Sequence, residues 1–165
     1  MIGFFNGRME FGARALGNRS ILANPCSPDI KDIINMKIKK RENFRPFAPS
    51  ILIDQKEKWF NNTRANPYMS AVENISPEMR RLIPAVTHFD GTGRVQTVSK
   101  QRNLDFYNLI HEFFKITNVP ILLNTSFNEN EPIVMNPENA IDCFERTKMD
   151  TLVIENFLIT RNKLI

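Results

Sequence analysis

The sequence predicts an α/β or α+β fold in which helices pack on one mixed sheet. Two observations support this prediction. Apolar side chains recur at helical spacing over residues 104–117, and a buried strand is expected directly afterwards at 119–123. Farther along, a predicted helix over 140–146 precedes two short apolar runs, 151–154 and 157–159, which are typical of paired strands. Helices and strands therefore mix within 165 residues, the usual length of one domain.

Composition narrows the class of protein. With 42% hydrophobic and 24% charged residues, the chain is expected to bury an ordinary core. Its net charge of +4 is too small to indicate a nucleic-acid surface by itself. No apolar run reaches the roughly 18 residues of a membrane span, and a signal-peptide pattern is lacking. Cys26 and Cys143 have no metal-ligand spacing, so free thiols in a cytoplasmic protein are expected.

The first half of the chain is predicted to contain short strands and one longer helix. A strand at residues 2–5 opens the chain so abruptly that a piece of a longer protein is expected. Ser27 is predicted as the N-cap of a helix, with Pro28 at its first position. Its buried face would be formed by isoleucines at helical spacing, namely Ile30, Ile33, Ile34 and Ile38.

Further short elements are expected in the middle of the chain. The sequence suggests a strand at 50–53, another at 69–72 and a short helix from Ser76. Residues 84–98 are predicted as strand, turn and strand, since Asp90-Gly91 is a strong turn signal between alternating β-branched residues.

A basic stretch at residues 39–50 follows the predicted helix. Pro46 and Pro49 exclude a helix there, so the chain is expected to be extended, with Arg41 and Arg45 on one side. Phe44 and Phe47 are expected to pack inward and hold the cations in place. Such an arrangement suits a compact anion, because Arg offers a planar fork and Lys a point charge. The alternative is a solvated basic turn.

Other polar residues stand where predicted elements end. A segment rich in glycine and arginine at residues 7–20 contains Arg14, yet it matches neither the phosphate-loop nor the dinucleotide pattern. His88 and Arg94 flank the predicted turn, and no neighbouring pattern indicates a zinc site. Small polar side chains follow the strand predicted at 119–123, a common place for α/β sites; they are Asn124, Ser126 and Asn128.

Four segments together resemble the C-terminal domain of the O-carbamoyltransferases, the enzymes of nodulation-factor and antibiotic tailoring. They are residues 7–20, 39–49, 85–97 and 123–128. The resemblance implies a YrdC-like fold, a twisted mixed sheet flanked by helices, over residues 1–165. It also implies that this domain makes carbamoyl adenylate from carbamoyl phosphate and ATP. A larger N-terminal Kae1-like domain, which nothing in this sequence matches, would then pass the carbamoyl group to an acceptor hydroxyl.

The resemblance and the charge pattern together suggest roles for individual residues. Lys39, Arg45 and Arg94 are expected to act in catalysis by stabilising negative charge. The expected substrate- and nucleotide-binding residues are Arg14, Arg41, His88, Asn124, Ser126 and Asn128. ATP would be a co-substrate with Mg²⁺, although no carboxylate cluster identifies protein ligands for the metal. Neither a membrane nor a nucleic acid is an expected partner. A nucleotide- or RNA-binding module and a non-catalytic scaffold domain remain as alternative functions.

Overall fold

The computed structural model, which describes residues 1–62 and 64–161, contains one seven-stranded sheet and a separate two-stranded pair. The strands in chain order are Ile2–Phe5 (β1), Arg19–Ala23 (β2), Ala48–Leu52 (β3), Glu73–Asn74 (β4), Thr92–Gly93 (β5), Gln96–Val98 (β6), Ile121–Ser126 (β7), Thr151–Ile154 (β8) and Phe157–Thr160 (β9). The large sheet has the order β6-β3-β7-β2-β1-β8-β9, and β4 pairs with β5. Two pairs, β1 with β8 and β3 with β6, are parallel, and the others are antiparallel. The predicted mixed sheet is therefore confirmed.

Four α-helices accompany the strands in the described residues. They are Ile30–Ile34 (α1), Lys56–Trp59 (α2), Leu104–Thr117 (α3) and Pro137–Arg146 (α4). A π-helical segment, Asn35–Lys39, continues α1, and short 3-10 turns lie at Ile53–Gln55, Arg80–Leu82 and Pro84–Val86. Among the helices described, none is long and apolar enough to cross a membrane.

The two faces of the sheet bury separate apolar clusters. On one face α3 packs over β3 and β7. This smaller cluster comprises Phe4, Leu22, Leu52, Val98, Phe106, Tyr107, Ile110 and Leu122. On the other face α4 packs over β1 and β8, and α1 lies against the turn at Pro84–Val86. Helices on both faces of one sheet give the three-layer arrangement expected of this fold class.

Several predicted elements are confirmed at their ends. Helix α3 has the predicted bounds, and the Asn103 side chain caps it by accepting from the Phe106 amide. Asn118 ends it in the left-handed conformation with φ 59°, as expected of a C-cap. Asn136 caps α4 in the same way as Asn103, by accepting from the Asn139 amide.

Three local predictions are wrong. Helix α1 begins at Ile30 with Asp29 at the N-cap position, and Ser27 contributes only its carbonyl, which accepts from the Ile30 amide. Residues 69–72 form no strand, because Met69 adopts φ 54° and breaks the extended chain. Residues 84–86 form a 3-10 turn rather than the first limb of a hairpin, although the turn at Gly91 is present with φ 80°.

The basic stretch is not extended either. Lys40 adopts a left-handed φ of 44°, so the chain reverses directly after the π-helical segment. The Arg45 amide then donates to the Glu42 carbonyl and closes a tight turn before β3. This turn leaves Phe44 76% exposed, so its predicted burial is wrong, whereas Phe47 is 3% exposed as predicted. Phe47 therefore anchors the end of the stretch, and the Asn35 side chain also holds it by donating to the Asn43 and Arg45 carbonyls at 3.4 and 3.2 Å.

Candidate functional site

Several strand ends that carry predicted site residues lie together at one end of the large sheet. Register pairs Phe5 at the end of β1 with Arg19 at the start of β2, and Ser126 at the end of β7 with Ser20. Strand β3 enters at the same end, because Ala48 pairs with Asn124 of β7. The loops at this end, residues 6–18, 40–47 and 127–133, carry parts of three of the four segments that the sequence singled out. Arg94 of the fourth segment lies two residues before β6, which runs parallel to β3.

Three adjoining depressions at this end form what we call the basic cleft. The smallest, of about 110 Å³, is lined by Arg14, Arg41, Arg94, Asn124 and Ser126 among others. A second of about 360 Å³ shares the arginines and adds Arg45 and His88. The third, of about 440 Å³, adds Lys39 and Asn128. Arg41 lines all three, so every site residue predicted from the sequence contributes to one continuous surface.

Lys39 lies at the inner wall of the cleft, at the end of the π-helical segment. Its Nζ donates to the main-chain carbonyls of Ser126, at 2.6 Å, and of Asn128, at 2.8 Å. The Asn128 Oδ1 at 2.7 Å and the Ser126 Oγ at 3.3 Å complete a shell of neutral oxygens. Burial, reinforced by the nearby charge of Arg41, lowers the pKa of Lys39 to about 7. Lys39 thus forms no ion pair with a carboxylate in the described part of the chain.

The arginines of the cleft differ in how they are held. Arg41 donates from Nε to the Asn35 Oδ1 at 2.7 Å, and its guanidinium lies 4.9 Å from the centre of the Phe47 ring. Arg14 and Arg94 form no side-chain hydrogen bond or ion pair within residues 1–62 and 64–161. Arg45, by contrast, is half exposed and pairs with Glu42 at 2.8 Å.

The local electrostatics follow from this crowding of cations. Burial lowers the pKa of Arg41, and the charges of Arg45 and Arg94 lower it further. Burial also lowers the pKa of Arg94, with Arg14 adding to the effect. Each guanidinium keeps its charge at neutral pH because its ordinary pKa is far higher. The cleft therefore carries positive charge that the surrounding protein does not neutralise.

His88 contributes polarity rather than charge. Its Nδ1 lies 3.0 Å from the Thr92 Oγ1, and Thr92 is fixed in turn by the Asp90 carboxylate at 2.7 Å. Burial lowers the pKa of His88, so the ring is neutral at neutral pH.

Beneath the cleft, Asn124 contacts two buried residues that the sequence analysis did not assign to the site, Ser50 and Gln96. The Asn124 Nδ2 donates to the Gln96 Oε1 and the Ser50 Oγ, both at 3.0 Å, while Ser50 donates to the same Gln96 oxygen at 2.6 Å. Gln96 also donates to the Leu16 carbonyl at 2.7 Å. The Asn124 Oδ1 is buried without a hydrogen-bond partner in the part of the chain described. The sequence did contain a signal for these two residues, because each is a polar side chain within a run of β-branched and apolar residues.

The carboxylates near the cleft are already neutralised. Glu129 pairs with Lys40 and, at 3.3 Å, with Arg146, which also bonds Glu131 at 3.0 Å. Although burial acts to raise it, hydrogen bonds from backbone amides and from Arg146 hold the pKa of Glu131 at about 2. The described residues contain no group of three or more His, Cys, Asp or Glu placed to hold a metal ion.

Comparisons with known proteins identify the family of this chain. The family model described as "Carbamoyltransferase C-terminus" matches residues 1–161. The nodulation protein NolO of Bradyrhizobium diazoefficiens is 47% identical over 165 residues, which are 98% of this chain and 30% of that protein. The nodulation protein NolNO of Sinorhizobium fredii is 48% identical, with 98% of this chain and 24% of that protein covered. Nodulation protein U of Rhizobium tropici is 45% identical over 76% of this chain and 22% of its own length.

The chain thus spans about a third or less of the length of these relatives. The family match extends over nearly all of its residues. The chain belongs to the family of carbamoyltransferase C-terminal domains.

Proposed function

We propose that this chain activates carbamoyl phosphate with ATP to form carbamoyl adenylate. A separate region of the enzyme would then pass the carbamoyl group to an acceptor hydroxyl. The single observation that supports this proposal best is the uncompensated positive charge of Lys39, Arg14, Arg41 and Arg94 around one cleft. Carbamoyl phosphate and ATP are both polyanions, and a site that brings them together has to neutralise their mutual repulsion.

The proposed chemistry has two steps. Water releases inorganic phosphate from carbamoyl phosphate and leaves carbamate. A carbamate oxygen then attacks the α-phosphorus of ATP, the bond from that phosphorus to the bridging oxygen of the β-phosphate breaks, and pyrophosphate leaves with the electron pair. The cleft stabilises the charge on the phosphoryl oxygens in both steps, which is the main catalytic demand of phosphoryl transfer. Mg²⁺ would accompany the nucleotide.

Asn124, which lines the cleft, offers a basis for recognising the carbamoyl group. A carbamoyl group carries an amino group, which donates hydrogen bonds, whereas an acetyl group carries none. The unpartnered Asn124 Oδ1 beside the 110 Å³ depression is an acceptor that such an amino group would satisfy. Discrimination against acetyl phosphate follows, because acetyl would leave this oxygen unpaired.

Pyrophosphate exchange tests the proposal. The chain is incubated with ATP, Mg²⁺ and labelled pyrophosphate, with carbamoyl phosphate, with acetyl phosphate or with neither. We expect label to enter ATP only in the presence of carbamoyl phosphate. The Arg94→Gln variant should lose exchange, whereas Arg102→Gln should retain it, since Arg102 lies outside the cleft and bonds the Tyr68 hydroxyl at 2.7 Å.

Two outcomes would contradict the proposal. Exchange that ignores carbamoyl phosphate would indicate activation of a different acid. A chain that binds neither ATP nor carbamoyl phosphate would instead be a scaffold for its partner region.

A further inference from the structure

The edge of the sheet formed by β8 and β9 is left uncovered on the face that carries α3. The helix lies over β3 and β7, and its margin reaches β1 where Phe106 meets Phe4 with ring centres 6.5 Å apart. Beyond that margin, Val153 of β8 still packs against the cluster under α3, and its register partner on β9 is Leu158. Paired residues of an antiparallel pair share a face, so Leu158 lies on this face too. Its side chain is 70% exposed.

Strand β9 is also an unprotected edge. It pairs only with β8, so its outer backbone groups are free among the described residues. All four of its residues are exposed, including Phe157 and Ile159 on the opposite face from Leu158. Natural edge strands are usually protected by charges, prolines or bulges. Strand β9 contains neither a charged residue nor a proline. An exposed apolar strand of this kind marks an interaction surface. We call β9 together with the uncovered side of β8 the open flank.

The described chain does not fold back over the open flank. After β9, Arg161 donates to the carbonyls of Thr147 at 2.5 Å and Met149 at 2.9 Å, and its guanidinium lies 4.6 Å from the centre of the Phe144 ring. These partners follow or belong to α4, which packs on the other face. The contacts of the last described residue therefore lie on the face opposite Leu158.

The length of the relatives indicates what covers the open flank. The matched region is 30% of NolO and 24% of NolNO, and it corresponds to the C-terminus of the family, so most of each relative precedes it. In this chain β1 pairs with β8, and the Met1 amino group bonds the Asp150 carboxylate at 2.7 Å, directly before β8. Chain that precedes β1 in such proteins therefore emerges beside the open flank.

We propose that the open flank is the docking surface for the N-terminal region that these longer carbamoyltransferases carry. This inference rests on one part of the proposed function, namely that a separate region transfers the carbamoyl group to the acceptor. The flank also reaches the basic cleft. The Glu155 carboxylate, in the turn between β8 and β9, accepts from the Gly7 amide at 2.8 Å, and Gly7 opens the loop that carries Arg14. A region docked along β9 would thus extend from the start of β1 to the end of the sheet where the cleft lies.

Cysteine labelling tests this proposal in a complete protein. This chain is joined to the N-terminal region of NolO in place of the part of NolO that it matches. Leu158→Cys is the probe and Ile116→Cys the matched control, since Ile116 is an exposed residue of α3. Both are made with Cys26→Ser, while Cys143 stays because it is buried. We expect a maleimide to label position 158 about tenfold or more slower in the chimera than in the isolated chain, and position 116 within about twofold.

Equal labelling rates at position 158 in the chimera and in the isolated chain would overturn the proposal. Slow labelling of the isolated chain that becomes slower with protein concentration would also overturn it, because a second copy would then cover the flank. If the chimera does not fold, the same measurement is made in intact NolO, with cysteines at the positions aligned with 158 and 116. Labelling needs no substrate, so a failure of the proposed chemistry leaves its result unaffected.

Discussion

Two buried lysines of this protein have opposite surroundings. Lys56, at the start of α2, is 2% exposed and pairs at 2.7 Å with the Glu73 carboxylate of β4, itself buried. Lys39, at the end of the π-helical segment, is 4% exposed and is surrounded by four neutral oxygens of Ser126 and Asn128. One buried charge is balanced within the fold and the other is not.

The difference separates a structural cation from a binding cation. A buried ion pair leaves little net charge for a ligand, whereas Lys39 has only neutral acceptors around it, so burial lowers its pKa to about 7 and an anion would stabilise its charged form. An anion in the basic cleft would supply the missing balance. The comparison therefore predicts that Lys56 matters mainly for stability and Lys39 mainly for ligand affinity.

Glu73→Gln should have the largest effect on stability. It leaves the Lys56 ammonium buried without its partner, which typically costs about 3–5 kcal/mol of the free energy of unfolding. Urea denaturation of parent and variant measures this loss. The control is Glu112→Gln, which breaks the exposed pair of Glu112 with Lys115 and should change stability little. If both variants unfold at the same urea concentration, Lys56 and Glu73 do not form the structural pair described here.

Lys39→Met should reverse the pattern. We expect affinity for carbamoyl phosphate to fall roughly ten- to a hundredfold, because a charge-assisted contact contributes about 1.5–3 kcal/mol. The loss of stability should be smaller than for Glu73→Gln, since removing the Lys39 ammonium leaves no buried carboxylate without a partner. Calorimetric titration and urea denaturation of the same variant give both values. Unchanged affinity would show that Lys39 serves only the fold.

The pKa of Lys39 predicts a specific dependence of stability on pH. Folding lowers this pKa from its ordinary value of 10.5 to about 7, so between these values the unfolded chain binds more protons than the folded one. Stability of the parent relative to Lys39→Met should therefore rise with pH, by about 2 kcal/mol between about pH 7 and about pH 9. Urea denaturation of both proteins across this range measures the difference, and a constant difference would contradict the low pKa.

Anion affinity should change in the opposite direction over the same pH range. Lys39 loses its charge as the pH rises through about 7, so sulfate, whose own charge is fixed there, should bind more weakly at higher pH. In Lys39→Met this dependence should be reduced. Competition between sulfate and carbamoyl phosphate in calorimetry gives the measurement.

Arg45→Ala should have the smallest effect, although the sequence suggested a catalytic role for Arg45. Its side chain is half exposed and already pairs with Glu42 at 2.8 Å, so water and Glu42 screen its charge. We expect affinity for carbamoyl phosphate to fall no more than about threefold on this account. A loss comparable to that of Lys39→Met would show that Arg45 turns into the cleft when ligand binds.

Much of the fold could be predicted because local signals agree with tertiary structure in the second half of the chain. Over residues 104–117 the apolar side chains recur at helical spacing, and asparagines stand at both ends, so both signals predict the same helix. The basic stretch shows the limit of such reasoning. Its prolines do exclude a helix, but nothing local indicates that Lys40 adopts a left-handed φ and turns Phe44 into solvent.

The candidate site was predictable as a set of residues but not as a geometry. Cations and small polar residues at the ends of predicted elements indicated an anion site, and the structure brings these residues to one cleft. The contacts that give each site residue its own environment involve residues distant in sequence; for example, Lys39 donates to the carbonyl of Ser126. The support of Asn124 by Ser50 and Gln96 depends on the parallel pairing of β3 with β6, which periodicity alone does not reveal.

Calorimetric titration of carbamoyl phosphate at matched ionic strength, with Arg94→Gln compared with Arg102→Gln, measures directly whether the basic cleft binds anions. We expect saturable binding of one molecule per chain for the parent. Arg94→Gln should lose roughly tenfold or more in affinity, because Arg94 forms no ion pair in the described chain and its charge is free for a ligand. Arg102→Gln should bind as the parent does. Equal affinities of the two variants, or no binding by the parent, would contradict the claim that the basic cleft is an anion site.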